Sequence, residues 1–198
     1  ADQVGSLKFD CLYTDAQTKL MKCVELLLKA GEIQWQGSLR ATYNKYLHPD
    51  VLDYKNPQMW EDMQNGKIAN LFQFETQVGA VCIKRTRPTS VVELGAANAV
   101  MRLMGEDGEE RPLDRYVRFR NNINEWYKEM NEAGLTPEEQ QVLKEELLSK
   151  YGNSVEQEDM MRLVQRPEIA NFTLGEANLL RKAVAKKDAK KIEKMKKR

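Results

Sequence analysis

The sequence predicts a mainly α-helical fold that carries a short β-strand at its N-terminal end. Hydrophobic residues recur every three or four positions along most of the 198 residues, which is the period of amphipathic helices. Residues that favour helix ends, chiefly Ser, Thr, Asn, Pro and Gly, separate these periodic stretches. A hydrophobic share of 41% fits one full core or two small ones, and it excludes a collagen-like, mucin-like or mostly disordered chain.

The N-terminal residues follow a different pattern, because apolar and polar side chains alternate between Val4 and Leu12 as in an exposed strand. A strand without neighbours would leave its backbone N–H and C=O groups unpaired. The one partner that the sequence suggests is the apolar stretch 68–75, predicted to be extended with Phe72 and Phe74 on one side. We therefore expect that the chain begins partway through a domain whose other strands are missing.

About seven helices should follow, and each combines an amphipathic pattern with a residue that starts or stops a helix. Their predicted spans are residues 16–30, 56–65, 90–104, 113–133, 136–151, 156–165 and a last helix from 174 towards 192. The clearest starts are Ser90, which has Glu93 three residues later as in a capping box, and Thr136, which precedes a proline.

The formal net charge of +1 conceals two regions of opposite charge. Ten lysines or arginines and two acids lie between Leu180 and Arg198, whereas ten acids and three lysines lie between Glu125 and Asp159. A basic block of this kind is typical of segments that bind nucleic acid, because each neutralised phosphate releases a counterion. It is equally typical of a solvated helix end, and charge alone does not decide between the two.

Cysteine, histidine and hydropathy exclude several classes of protein. Three widely spaced cysteines and one histidine cannot provide the clustered ligands of a structural zinc site. His48 precedes a proline and is predicted to be a loop residue rather than half of a Cys–His pair. No apolar run approaches the ~20 residues that cross a bilayer, and the N-terminal residues lack the features of a signal peptide. We therefore expect a cytoplasmic protein with no membrane contact.

Two groups of residues are candidates for phosphate chemistry. Lys8 and Asp10 share one face of the predicted strand, where a carboxylate could hold Mg²⁺ beside a phosphate-binding lysine; a surface ion pair is the alternative. Arg181 and Lys182 lie two turns into the last helix, with Lys186 one turn further. A guanidinium beside an ammonium can bind a polyphosphate, but lysines near a helix C-terminus also offset the helix dipole.

Four segments resemble, in the same order, motifs of the bacterial family C replicative DNA polymerases, the alpha subunits of DNA polymerase III. The segments are Leu-Lys-Phe-Asp-Cys-Leu at 7–12, Leu-Phe-Gln-Phe-Glu at 71–75, Tyr-Gly with Gln-Glu between 151 and 158, and Phe-Thr-Leu-Gly-Glu-Ala-Asn-Leu-Leu-Arg-Lys-Ala at 172–183. The last is similar to the family's Tyr-Ser-Leu-Gly-Glu-Ala-Asp-Leu-Leu-Arg-Arg-Ala nearly throughout. Together the segments span the end of the polymerase palm and its fingers.

The resemblance implies a fragment of a DNA-directed DNA polymerase, with residues 1–14 as a palm strand and residues 15–198 as the fingers domain. It implies that Asp10 is a catalytic, metal-binding carboxylate of a site for two Mg²⁺ ions. The residues that it implies for binding the incoming dNTP are Lys8, Arg181, Lys182 and Arg102, and those implied to lie near DNA phosphates are Lys84, Arg87, Lys186 and Lys187.

The partners implied by the resemblance are primer–template DNA, dNTPs, the rest of a polymerase chain, and a sliding clamp and replisome. The family's paired Asp-x-Asp ligands lie upstream on a neighbouring strand, so we expect the 198 residues alone not to extend a primer. The sequence also departs from the family: the prolines after Arg102 are missing, Glu156 replaces a tyrosine, Asn178 an aspartate and Lys182 an arginine. These departures indicate a divergent branch, viral or from a distant bacterium.

The sequence is also compatible with two other classes of protein. One is a non-catalytic helical module that binds nucleic acid through its basic end, for which Lys8 and Asp10 would be dispensable. The other is a helical scaffold whose acidic middle recruits basic partners, and it would not bind DNA in a salt-dependent way. The four ordered motifs favour the polymerase fragment, because neither alternative requires them.

Overall fold

The computed structural model of this chain describes residues 15–103, 105 and 108–196. Eleven α-helices and two 3₁₀ turns make up the regular structure of these residues, which contain no β-strand. The mainly helical prediction is thereby confirmed, while the predicted strand over residues 4–12 lies outside the described residues. The chain divides into two compact units, residues 1–54 and residues 55–198. None of the eleven helices in the described ranges is long and apolar enough to span a membrane.

The first unit contains α1 (Asp15–Ala30), α2 (Leu39–Tyr46) and a 3₁₀ turn (Pro49–Val51). α1 confirms the helix predicted over 16–30. α2 is not predicted from the sequence, because it buries only Thr42 and so carries no apolar stripe. His48 accepts a hydrogen bond from the Asp50 N–H at 3.3 Å through its Nδ1, which confirms it as a loop residue.

The second unit holds the remaining helices around three clusters of buried side chains. The elements are α3 (Pro57–Gln64), α4 (Gln77–Thr86), α5 (Val91–Val100), α6 (Pro112–Asn121), α7 (Ile123–Glu132), α8 (Pro137–Leu147) with a 3₁₀ turn (Leu148–Lys150), α9 (Gln157–Gln165), α10 (Leu174–Ala185) and α11 (Ala189–Lys196). Trp60 and Phe74 belong to the cluster of α3 to α5, and Trp126 belongs to the cluster of α6 to α9. Tyr116 of α6 forms the third cluster with two residues of α5.

The stretch 68–75 is not extended, so that prediction is wrong. Asn70 and Gln73 have left-handed backbones, with φ of 63° and 68°, and the chain therefore forms successive turns. Phe74 is buried while Phe72 is 71% exposed, whereas an extended stretch would place both on one side. α4, which follows these turns, has no counterpart among the predicted helices. Its Gly79 lies so close to the Phe74 backbone that no Cβ would fit there.

The predicted helix 113–133 is two helices that meet at Asn122. The φ of −147° and ψ of 90° at Asn122 end α6, and its side chain accepts a hydrogen bond from the second residue of α7 at 3.3 Å. The last predicted helix is also divided, because Lys187 has a φ of 52° and Asp188 accepts a hydrogen bond from the third residue of α11. An Asn or Asp side chain that caps the next helix interrupts the backbone without any change in the apolar pattern.

Candidate functional site

The clearest group of predicted site residues lies on α10. Thr173 caps this helix, because its Oγ1 accepts a hydrogen bond from the Glu176 N–H at 3.4 Å while the Glu176 carboxylate accepts one from the Thr173 N–H at 2.9 Å. Two alanines of α10 are buried, and α10 packs against both α9 and α11. This packing fixes the stretch of backbone that carries Arg181 and Lys182.

Two neutral amide oxygens hold the Arg181 guanidinium. Its Nη1 donates to Oε1 of Gln157, the first residue of α9, at 2.7 Å. Its Nε and Nη2 both donate to Oδ1 of Asn178, at 3.0 and 2.9 Å. Arg181 forms no ion pair with a carboxylate in the described part of the chain. The positive charge is therefore held in place without being neutralised.

Several arginines of the same unit, by contrast, bind carboxylates and join helices to one another. Arg118 forms ion pairs with three glutamates at 2.7, 2.9 and 2.7 Å, and hydrogen bonds to them raise its pKa. Arg162 of α9 binds a glutamate of α8 at 3.1 Å, and Arg166, at the C-terminal end of α9, binds another glutamate of α8 at 2.8 Å. Within the described ranges, the arginines without an ion pair are Arg40, Arg87, Arg102, Arg111 and Arg181. Three of these five are predicted site residues.

A cleft of about 510 Å³ separates α10 from α11, and Lys182 and Lys186 line it. Two further lysines line the same cleft, together with Phe172 and other apolar side chains. Its one aspartate, Asp188, binds Lys191 at 3.1 Å, and this hydrogen bond lowers the pKa of the Asp188 carboxyl. The lysines outnumber the acids, so the cleft is a second site of positive charge on α10.

Lys84 and Arg87 lie at the C-terminal end of α4, where both are exposed. The Arg87 backbone is left-handed, with a φ of 43°, and its N–H donates to the Ile83 carbonyl at 2.8 Å. Its own carbonyl accepts hydrogen bonds from Nη2 of Arg120 on α6 at 2.8 Å and from Nε2 of Gln64 on α3 at 3.4 Å. Three helices thus fix the Arg87 backbone, while its charge stays unpaired within the described ranges.

Glu93 is the centre of a polar cluster that the sequence does not predict. Its carboxylate accepts hydrogen bonds from the Tyr151 hydroxyl and from the Thr89 N–H, the latter at 2.7 Å, and Arg120 lies 3.8 Å away. Burial, followed by the hydrogen bond to Glu93, raises the pKa of Tyr151 to about 12. The available sequence signal was the spacing of Ser90 and Glu93, which predicts a helix cap and gives no information about a tyrosine 58 residues away.

The other predicted site residues do not join these groups. Arg102 lies just beyond α5, where its exposed side chain forms no ion pair with another described residue. Lys187 is exposed at the end of α10 and does not line the cleft. Lys8 and Asp10 lie outside the described residues. Across residues 15–103, 105 and 108–196, no three His, Cys, Asp or Glu side chains are grouped as in a metal site.

Comparisons with known proteins agree with the resemblance seen in the four motifs. A family model described as the bacterial DNA polymerase III alpha subunit finger domain matches residues 33–198. The chain is 44% identical over 187 residues to a probable DNA polymerase YorL of Bacillus subtilis and to a DNA-directed DNA polymerase of Bacillus phage SPbeta. It is 28% identical over 186 residues to a DNA polymerase III subunit alpha of Treponema pallidum. Each alignment covers 94% of this chain but only 14% of the relative.

Proposed function

The chain belongs to the family of bacterial DNA polymerase III alpha subunit finger domains, and from this premise we propose that it binds the triphosphate of an incoming dNTP. In this proposal it acts within a larger DNA-directed DNA polymerase during replication. Arg181 and Lys182 bind the phosphates, Arg102 contributes to nucleotide binding, and Lys8 faces the triphosphate from the N-terminal segment. Residues 15–198 are the fingers, and residues 1–14 belong to the edge of the palm.

The observation that supports this proposal is how many hydrogen-bond donors of the Arg181 guanidinium are free. An arginine has five N–H donors, and three of them are used by the amide oxygens of Gln157 and Asn178. The two that remain lie on Nη1 and Nη2, the pair of nitrogens that can bind two phosphate oxygens at once. An ordered cation with free donors and no carboxylate partner in the described residues is suited to a polyphosphate.

Other unpaired cations are suited to the DNA backbone. We assign Lys84 and Arg87 at the end of α4, and Lys186 and Lys187 at the end of α10, to phosphates of the primer–template. All four side chains are exposed, and none forms an ion pair within the described ranges. Each phosphate that such a cation neutralises releases a counterion, so this binding should weaken as the salt concentration rises.

Mg²⁺ is a part of the proposed function for which the described residues provide no site. They contain no group of three metal-ligating side chains. As the family resemblance implies, the proposal assigns the ions to Asp10 together with carboxylates from outside this chain. When bound, the ions would align the primer hydroxyl and stabilise the leaving pyrophosphate. The contribution of this chain's own residues is to hold cations against the β- and γ-phosphates, where negative charge accumulates. The proposed partners of this chain are the rest of the polymerase, a sliding clamp and the replisome, and its proposed location is the cytoplasm.

The proposal can be tested by titrating the 198-residue chain with dATP and with inorganic tripolyphosphate in a calorimeter. Arg181→Ala should weaken binding of both by about 10-fold or more, since a charge-assisted hydrogen bond contributes about 1.5–3 kcal/mol. The matched control is Arg111→Ala, which removes another exposed arginine without an ion pair among the described residues. Equal affinities for the wild-type chain and the Arg181 variant would remove Arg181 from the site.

A non-catalytic module that binds nucleic acid makes a different prediction for the same chain. Such a module would bind DNA with unchanged affinity when dNTP and Mg²⁺ are added. It would also lose no dATP binding in the Arg181 variant. The polymerase fragment requires that Arg181 affect nucleotide binding more than DNA binding, so measuring both affinities on one variant separates the two functions.

A further inference from the structure

We propose that Gln157 is a positioning residue for Arg181, and that its neutrality, like that of Asn178, leaves the guanidinium free to bind phosphate. This inference rests on the proposed function, because it concerns the same cation. Gln157 touches neither nucleotide nor metal in this proposal. It acts through Arg181 by supplying an oxygen that accepts a hydrogen bond without cancelling the charge.

The backbone that carries Gln157 is firmly held. Asp159 is fully buried, and its Oδ2 accepts hydrogen bonds from the N–H groups of Val155 and Glu156 at 3.1 and 3.0 Å. Its Oδ1 binds the Lys150 ammonium at 2.6 Å, and that lysine also reaches Glu156 at 2.5 Å. Gln157 lies in sequence between Glu156 and Asp159, so these contacts hold the backbone from which its amide oxygen reaches Arg181.

The neutral acceptor also matters for the charge of Arg181. A carboxylate placed where the Gln157 amide lies would form an ion pair with Arg181, as the glutamates of α8 do with Arg162 and Arg166. A phosphate would then have to displace a bound carboxylate before it could use the full charge. The Gln157 amide oxygen accepts a hydrogen bond from Nη1 at 2.7 Å and so orients the guanidinium as a carboxylate would, but it leaves the positive charge available.

A structural role and a positioning role predict opposite orders for two variants. If Gln157 only stabilises the packing of α9 on α10, Gln157→Glu should match or exceed the wild type in thermal stability and in affinity for polyphosphate, since an ion pair replaces a hydrogen bond. Gln157→Ala should then be lower than the wild type in both. If neutrality matters, Gln157→Glu should bind polyphosphate more weakly than Gln157→Ala, even where it is the more stable protein.

The experiment measures affinity and thermal stability on the same samples of the 198-residue chain. The probe is inorganic tripolyphosphate, and the variants are Gln157→Glu, Gln157→Ala and Arg181→Ala. Gln165→Glu is the matched control, because it introduces the same charge at the other end of α9, where the side chain bonds to the Met161 carbonyl instead. We expect the affinity for tripolyphosphate to fall by about 3-fold in Gln157→Ala and by about 10-fold or more in Gln157→Glu, and to change little in the control.

The outcomes separate this inference from the function on which it rests. Should Arg181→Ala bind tripolyphosphate as well as the wild type does, both the proposed function and the role of Gln157 are wrong. Should Arg181→Ala lose affinity while both Gln157 variants keep it, only the inference about Gln157 fails. It also fails if affinity follows thermal stability, with Gln157→Glu above Gln157→Ala in both measurements.

Discussion

The Tyr151 hydroxyl donates a hydrogen bond to the Glu93 carboxylate and joins two segments that are 58 residues apart in sequence. Tyr151 follows the 3₁₀ turn after α8, in a left-handed backbone with a φ of 52°, and Glu93 lies in the first turn of α5. Arg120 lies 3.8 Å from the same carboxylate and donates to the Arg87 carbonyl at 2.8 Å. A partly buried tyrosine contact is thereby connected to the end of α4, where a proposed DNA-binding arginine is held.

Replacing Tyr151 with Phe should destabilise the fold by about 1–2 kcal/mol, because Glu93 loses a hydrogen-bond donor in a partly buried cluster. The folded-state pKa of Tyr151, about 12, lies above the ~10 of an unfolded tyrosine. The folded chain therefore holds this proton more tightly, and the resulting stability is complete below about pH 10 and lost as the pH rises towards 12. Urea unfolding at pH 8 and pH 11 should show a smaller loss in Tyr151→Phe than in the wild type. An identical loss in both would contradict the assignment.

Because the Arg87 backbone is left-handed, two substitutions can separate the effect of its backbone on stability from the effect of its charge on DNA binding. Arg87→Gly and Arg87→Ala both remove the charge, but only glycine adopts a φ of 43° without strain. We expect the glycine variant to be more stable than the alanine variant by about 1 kcal/mol in thermal unfolding. Both should reduce the slope of log K against log salt for duplex DNA by about one. Different slopes in the two variants would show that the side chain is not the phosphate contact.

The ion pair of Lys150 and Asp159 is buried, and removing one partner should have a large cost. The Lys150 side chain is 9% exposed and the Asp159 side chain 0% exposed, at a distance of 2.6 Å. Lys150→Met would remove the buried cation and leave Asp159 with Arg162, which is 46% exposed at a distance of 2.5 Å, so we expect a cost of about 1.5–3 kcal/mol in urea unfolding. Lys128→Met is the control, because Lys128 is 75% exposed and its pair with Glu132 should contribute less than ~0.5 kcal/mol. Similar values for the two variants would contradict this prediction.

Two glycines of neighbouring helices should respond in opposite directions to the same substitution. A Cβ at Gly79 of α4 would collide with the Phe74 backbone, whereas a Cβ at Gly95 of α5 meets no atom within 4 Å. Gly95→Ala should therefore stabilise the protein by up to about 1 kcal/mol, the difference in helix propensity. Gly79→Ala should destabilise it despite the same gain in propensity, because the helix must move away from the turn before it. Thermal melts of both variants decide this, and a stable Gly79→Ala protein would show that the contact is not close.

The helix starts that the sequence predicts correctly depend on residues close together in the chain. Thr136 and Thr173 each form a complete capping box with a glutamate three residues later, and Ser90 caps α5. The helices that the sequence analysis misses, α2 and α4, have weak local signals. In α4, a glycine that weakens helix propensity is required by the close approach of the Phe74 backbone, and that contact is visible only in three dimensions.

The candidate site divides in the same way. The residues of α10, including Arg181 and Lys182, were predicted from their spacing and from the resemblance to a polymerase family. Their surroundings were not: Gln157 lies 24 residues before Arg181, and nothing in the spacing indicates that its amide meets the guanidinium. That Arg181 forms no ion pair with a described carboxylate is likewise a property of the packing of α9 on α10.

The amino-acid pattern alone predicts that the chain is mainly helical, where most helices begin, and which cations could bind phosphate. These properties depend on apolar period, caps and charge, which act over a few residues. Which of the described arginines are neutralised by carboxylates, and which remain available, depends on how the helices pack. Two side chains that are distant in sequence interact only after the helices have packed, and the strength of an electrostatic interaction depends on the distance that packing sets.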